Sequence, residues 1–242
     1  MRYLALLLAL LLGAPAFAEE AKGITSLRET VELAPDGSAA VTVEVKLANW
    51  PADRLDLPLN FGKPGPLAVS GNVKADATVV RNGDARQIHV QFDGKPPVDT
   101  TVSIRFTAQD FLDWKKARSP RGVYGLSYTF TNTGMMTIGR YALTVRLPQG
   151  YGVNGVTSST PRMTGEEVEP PYDFGTVDGR TVMNLRAKSI GPGKTAAIAF
   201  GFSEEERHPL PFVVAGLLIA LVALWGKRDV LTREDYVREA SA

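Results

Sequence analysis

Apolar and polar residues alternate over most of the stretch from residue 23 to 108. Val41-Thr42-Val43-Glu44-Val45-Lys46-Leu47 places every second side chain on one apolar face, the period-2 mark of a half-buried strand. Ala34-Pro35-Asp36-Gly37-Ser38 precedes it, with an Asp-Gly step that tolerates positive φ, and Thr30 to Leu33 lies before that turn. Together these segments predict a β-hairpin. Ala85 to Phe92 and Thr101 to Thr107 alternate likewise, punctuated by Asn82-Gly83-Asp84 and Asp93-Gly94-Lys95-Pro96-Pro97. Leu55 to Phe61 predicts a weaker strand, held to an edge or a bulge because Pro58 lacks an amide donor.

The rhythm breaks at residues 109–121, QDFLDWKKARSPR, which predict a helical turn or a long loop. Strands resume at Tyr124 to Thr131, Arg140 to Leu147, Val153 to Thr157, Arg180 to Ala187 and Thr195 to Phe202. Residues 158–179, rich in Pro, Gly, Thr and Glu, read as an extended loop. Roughly ten to twelve strands with turns every 8–12 residues predict an all-β sandwich. It is either one large sandwich or two packed halves, 19–108 and 122–207, joined by 109–121; the second arrangement is preferred. The second half ends with Gly191-Pro192-Gly193-Lys194 before a final apolar strand. In that it resembles the immunoglobulin-like modules of bacterial envelope proteins, which implies an immunoglobulin-like β-sandwich.

Toward each end lies an apolar segment without alternation. Residues 1–18 carry Arg2, an apolar run from Leu4 to Leu12, and Ala16-Phe17-Ala18. This is the order of a secretory signal peptide, with cleavage expected after Ala18. Residues 209–226 form an 18-residue stretch without charge between His208 and Lys227. A helix of that length spans roughly 27 Å, enough for a bilayer core. Trp225 falls at the interface level and Lys227-Arg228 follow at once, which places residues 227–242 in the cytoplasm. The expected topology is a single-pass type I protein of the inner membrane, its β domain periplasmic or extracellular, with the lipid bilayer as its first partner. A capping-box-like pair, Thr232 and Asp235, opens the tail.

Charge and composition narrow the function classes. Removing residues 1–18 removes only Arg2 and leaves 26 basic against 26 acidic residues. A neutral domain has no electrostatic footprint for nucleic acid. With no cysteine, disulfides, thiolate metal sites and thiol nucleophiles are excluded. The exported domain must then hold itself by core packing.

No catalytic motif emerges, and no cofactor is expected. Gly191-Pro192-Gly193-Lys194-Thr195 imitates a phosphate loop, but the pattern requires glycine at position 188, where Lys188 stands. This segment also feeds a strand instead of opening a helix, so nucleotide binding is not expected. His89 shares a strand face with Gln87 and Gln91, and reads as solvent-facing. The acidic groups Asp53/Asp56, Asp110/Asp113 and Glu166/Glu167/Glu169 sit in turns or polar loops. Trp50-Pro51 and Met135-Met136 read as packing residues beside turns. The interaction candidates are Phe111, Trp114, Lys115, Lys116, Arg118 and Arg121, where basic groups beside aromatics suit anionic headgroups or an acidic partner.

These features point to a non-enzymatic accessory or scaffold subunit of an envelope membrane complex, with another membrane or envelope protein as partner. The alternative is an exterior module for a glycan or peptide ligand. A membrane-tethered hydrolase using loop carboxylates ranks third.

Overall fold

The computed structural model describes residues 22–82, 85–161 and 170–205, together with 217–219, 221, 222 and 225. The chain separates into two compact units, divided between Glu204 and Glu205. The first is predominantly β and sandwich-like. In the second, residues 217–219, 221, 222 and 225 are helical, and Leu217, Ile219, Val222 and Trp225 are exposed.

Strand β1 (Gly23–Leu33) pairs antiparallel with β2 (Ala39–Ala48), forming the hairpin that the Asp-Gly turn predicts. Asp36 Oδ1 accepts from the Ser38 amide at 2.9 Å and from its hydroxyl at 2.7 Å. Gly37 takes φ of 86°, which an L side chain resists. In β2 the buried residues are Ala39, Val41, Val43, Val45 and Leu47, the whole apolar register of the alternation.

Strands β3 (Arg54–Pro58), β4 (Lys63–Pro64), β5 (Ala68–Gly71), β6 (Ala75–Asn82), β7 (Ala85–Phe92) and β8 (Asp99–Gln109) follow. After helix α1 (Trp114–Ala117) come β9 (Tyr124–Thr131), β10 (Ile138–Arg146), β11 (Tyr151–Thr160), β12 (Tyr172–Val177), β13 (Arg180–Ile190) and β14 (Thr195–Glu204).

An eight-stranded sheet runs β12-β13-β10-β1-β2-β8-β4, with β5 also on β8. Three-stranded sheets β3-β7-β6 and β11-β14-β9 complete the domain. The main sheet takes strands from both sides of residues 109–121, because β1 and β10 pair in parallel from Ile24↔Ile138 to Glu32↔Arg146. Alternate residues of all three sheets merge into one apolar cluster, including Ile104, Ile88, Phe130 and Phe200. Each fully buried side chain of this kind contributes about 1.5–3 kcal/mol. As Pro58 requires, β3 is an edge strand.

Two expectations need correction. Residues 158–179 are not wholly loop: β11 extends to Thr160 and β12 lies inside the segment. β12 has little apolar burial of its own, with Phe174 42% exposed, and forms because β13 supplies its backbone partners. Asp178 and Gly179, both at positive φ, make the tight turn between them. Likewise Met135 is 96% exposed instead of packed, and only Met136 turns inward, against Gly23. Asn132 fixes that loop by donating to the carbonyls of Met136 and Ile190 and accepting from the Gly134 amide.

Among the described residues no helix is long and apolar enough to cross a membrane. Most of the apolar segment 209–226 lies outside the described residues, as do Ala16, Ala18, His208, Lys227, Arg228 and the tail from Thr232. Glu166, Glu167 and Glu169 also lie outside them.

Candidate functional site

The 109–121 segment folds by turning its aromatics inward and its bases outward. Asp113 caps α1, accepting from the amides of Lys115 at 3.1 Å and Lys116 at 3.2 Å. The Lys116 amide holds this carboxyl below its ordinary range. Trp114 meets Tyr124 at 4.9 Å, Tyr151 at 5.3 Å and Phe202 at 5.8 Å, with the Tyr124 and Phe202 rings edge-on to it. Its indole Nε1 is buried without an acceptor. Arg118 stacks its guanidinium over Tyr124, 6.0 Å from the ring centroid. Lys115, Lys116 and Arg121 are exposed.

This aromatic group lies where the last strand ends. The Tyr151 hydroxyl donates to Glu204 Oε1 at 3.1 Å. Lys115, Lys116 and Arg118 therefore flank the corner at which the chain leaves the β domain. Phe111, by contrast, belongs to a separate cluster with Phe61, 5.7 Å between centroids. The sequence candidates thus divide between two places.

Of the acids singled out by the sequence analysis, Asp56, Asp110 and Asp113 are engaged in ordinary ion pairs or a cap, as is His89. Asp56 pairs with Arg54 at 3.2 Å and with His89 Nδ1 at 2.9 Å. His89 lies half-buried on the strand face opposite the buried Ile88 and Val90. Asp110 pairs with Lys63 at 2.7 Å, while Asp113 is the helix cap. Among the described residues no three His, Asp or Glu side chains converge as a metal site would require. Gly191-Pro192-Gly193-Lys194 is a turn between β13 and β14, closed by the Lys194 amide on the Gly191 carbonyl.

The buried polar centre escaped the sequence analysis. Glu29 sits on the core side of β1 among Leu27, Val31 and Leu33, only 2% exposed. Its Oε2 accepts from Tyr128 at 2.8 Å and Tyr141 at 2.6 Å. Burial raises its pKa to about 7, against the opposing pull of the two phenols. Both phenols are pushed well above their usual value by burial and by the carboxylate, so they remain donors. The exposed Asn60 side chain works against that shift at Tyr128. A cavity of about 390 Å³ lies there, with Asn60, Phe61, Phe111 and Tyr128 among its walls. Tyr128 is thus among the cavity's lining residues and also donates to Glu29. A glutamate in register with Leu27, Val31 and Leu33 was the available sequence signal.

No protein-family model matches the chain, and no curated protein matches it. Solved structures with a similar course include yeast leukotriene A4 hydrolase in complex with bestatin, 11% identical with a TM-score of 0.44, covering 80% of this chain and 32% of that one. An M1 zinc metallopeptidase from Deinococcus radiodurans is 10% identical with a TM-score of 0.38, covering 75% of this chain and 43% of that one. The folded domain of LppM from Mycobacterium tuberculosis is 15% identical with a TM-score of 0.29, covering 79% and 95%. The chain spans about a third of the length of the first of these. Likeness at this level assigns neither an activity nor a ligand to this chain.

Proposed function

We propose that the protein is a non-enzymatic, membrane-anchored accessory or scaffold subunit of a bacterial envelope complex. In this reading residues 1–18 are a cleaved signal peptide and 209–226 a single transmembrane helix. An immunoglobulin-like β-sandwich is displayed outside and residues 227–242 remain in the cytoplasm. One observation carries it. The β domain concentrates Lys115, Lys116 and Arg118 beside Trp114, Tyr151 and Phe202 at the strand end from which the chain continues toward the apolar segment. Basic groups on an aromatic footing suit an acidic partner or anionic headgroups. Asp56, Asp110 and Asp113 already serve ion pairs or a helix cap, which gives the hydrolase reading little to use.

The test is site-specific photo-crosslinking from Lys115 and Arg121 in intact membranes, followed by capture through a C-terminal tag. A reproducible stoichiometric membrane protein, lost when Lys115, Lys116 and Arg118 are changed to Glu, is the expected result. Capture of the bait alone at normal expression overturns the reading. The second reading, a glycan- or peptide-binding exterior module, is favoured by the aromatic-walled cavity at Asn60, Phe61, Phe111 and Tyr128. Binding of an envelope glycan that Phe111→Ala weakens would select it.

A further inference from the structure

The solvent side of the main sheet carries a charge pattern that the neutral composition conceals. Strand register aligns Lys188, Arg140, Ser26 and Lys46 in one cross-strand row, and Arg186, Ala142, Arg28 and Glu44 in the next: five cations against one anion. Within that face lies a cavity of about 280 Å³ walled by Arg28, Arg146 and Arg186, with Ala142 and Thr144 between them. Ala142 is the register partner of both Arg28 and Arg186. The two strands bearing these arginines therefore stand roughly 10 Å apart, with a methyl group between.

Two of the three guanidiniums are held in place. Arg146 Nη1 lies 3.0 Å from Glu32 Oε1, and Arg186 Nη1 2.6 Å from Asp173 Oδ2. Asp173 is itself steadied by Asn184 at 2.6 Å, and Asn184 by Thr144 at 3.0 Å. Glu32 also pairs with Arg180 at 3.6 Å. Arg28 has no ion pair among the described residues. Counting Glu44, the register partner of Arg28, four arginines stand against three carboxylates and leave one positive charge in excess. The Nε of Arg146 is buried with no acceptor, an unmet donor in the wall of the cavity.

We propose that this cavity is a binding site for a phosphoryl group. Guanidiniums from three different strands approach from different sides, an arrangement that suits a tetrahedral oxyanion with three or more acceptor oxygens better than a flat carboxylate. The net positive charge and the unmet Arg146 Nε donor both favour an anion with several acceptor oxygens. The ligand is either a soluble phosphate or the headgroup of an anionic lipid. The site stands apart from the accessory-subunit reading, and neither depends on the other.

The test uses the full chain in a neutral detergent at low ionic strength, titrated calorimetrically with inorganic phosphate. A parallel titration uses short-chain dihexanoyl phosphatidic acid, with dihexanoyl phosphatidylcholine as control. Saturable binding is expected, weakened roughly tenfold by Arg28→Gln, the loss of one charge-assisted contact. Ala142→Leu, which fills the cavity without touching charge, is expected to weaken it at least as much. Arg105→Gln, an exposed charge on β8 away from the cavity, is expected to leave it within about twofold. Unchanged thermal transitions establish that the variants are folded. If phosphatidic acid binds no more tightly than phosphate, the ligand is a soluble phosphate. If it binds much more tightly and the cavity variants abolish the gain, the ligand is a lipid headgroup. Binding lost equally with Arg105→Gln, untouched by Ala142→Leu, or absent with both probes overturns the proposal.

Discussion

Tyr141 donates a 2.6 Å hydrogen bond to the buried carboxyl of Glu29, reaching it from β10, the strand that pairs in parallel with β1. Tyr128 reaches the same oxygen from β9, in a different sheet. One acid therefore ties together the two sides of the 109–121 break. Its pKa of about 7 makes the tie sensitive to pH.

The direction follows from which state holds the proton. Between the ordinary glutamate range and about pH 7, folded Glu29 keeps its proton while the unfolded chain has lost it. Stability is accordingly highest below the unfolded pKa. It falls as pH rises to about 7, by at most about 3 kcal/mol, and this contribution changes no further above that. Thermal unfolding from pH 5 to 8 measures it. Glu29→Gln keeps a carbonyl acceptor for the phenols and is expected to flatten this slope and raise the melting temperature at pH 8. An unchanged slope in the variant would assign the dependence elsewhere.

Tyr141→Phe removes one of two donors and leaves the ring stacked on Phe130, 4.4 Å between centroids. The charged carboxylate loses more than the neutral acid does. A destabilisation of about 1.5–3 kcal/mol is expected at pH 8, with a smaller one at pH 5, in paired denaturant titrations. Equal losses at both pH values would mean that the phenol does not favour the charged carboxylate over the neutral acid.

Asn132 is only 2% exposed and satisfies two carbonyls and an amide. Asn132→Ala strands these groups and is expected to cost about 2–3 kcal/mol in chemical denaturation. Asn132→Asp is expected to be no better, since it cannot donate to the carbonyls of Met136 and Ile190.

Gly37 couples the first hairpin to the 109–121 segment. Its carbonyl accepts from the Leu112 amide at 2.9 Å, and a Cβ at Gly37 would strike the Leu112 carbonyl. Gly37→Ala therefore combines a strained positive φ with a backbone clash. A loss above about 1 kcal/mol is expected, together with faster tryptic cleavage at Lys115, Lys116 or Arg118. Cleavage at the wild-type rate would show that the segment holds without this contact.

Local alternation was enough to locate β2, β7, β9 and β14, because each has one face in the core and one in water. Asp36-Gly37 likewise sufficed for the first turn. β12 was not legible from burial, since its order comes from the edge of β13. The basic segment stood out by composition. That Trp114 joins Tyr151 and Phe202, while Phe111 joins Phe61, was invisible without the fold.

The sequence by itself determined the all-β class, most strand positions and the absence of cysteine chemistry. These follow from side-chain period and residue identity, which are local. Only the tertiary structure decided that β1 and β10 run side by side. It also showed that Glu29 shares two phenols and that Arg28 and Arg186 flank Ala142. Those relations join residues distant in sequence. They depend on which strand edges meet, a choice made by the packing of the whole apolar cluster and not by any single segment.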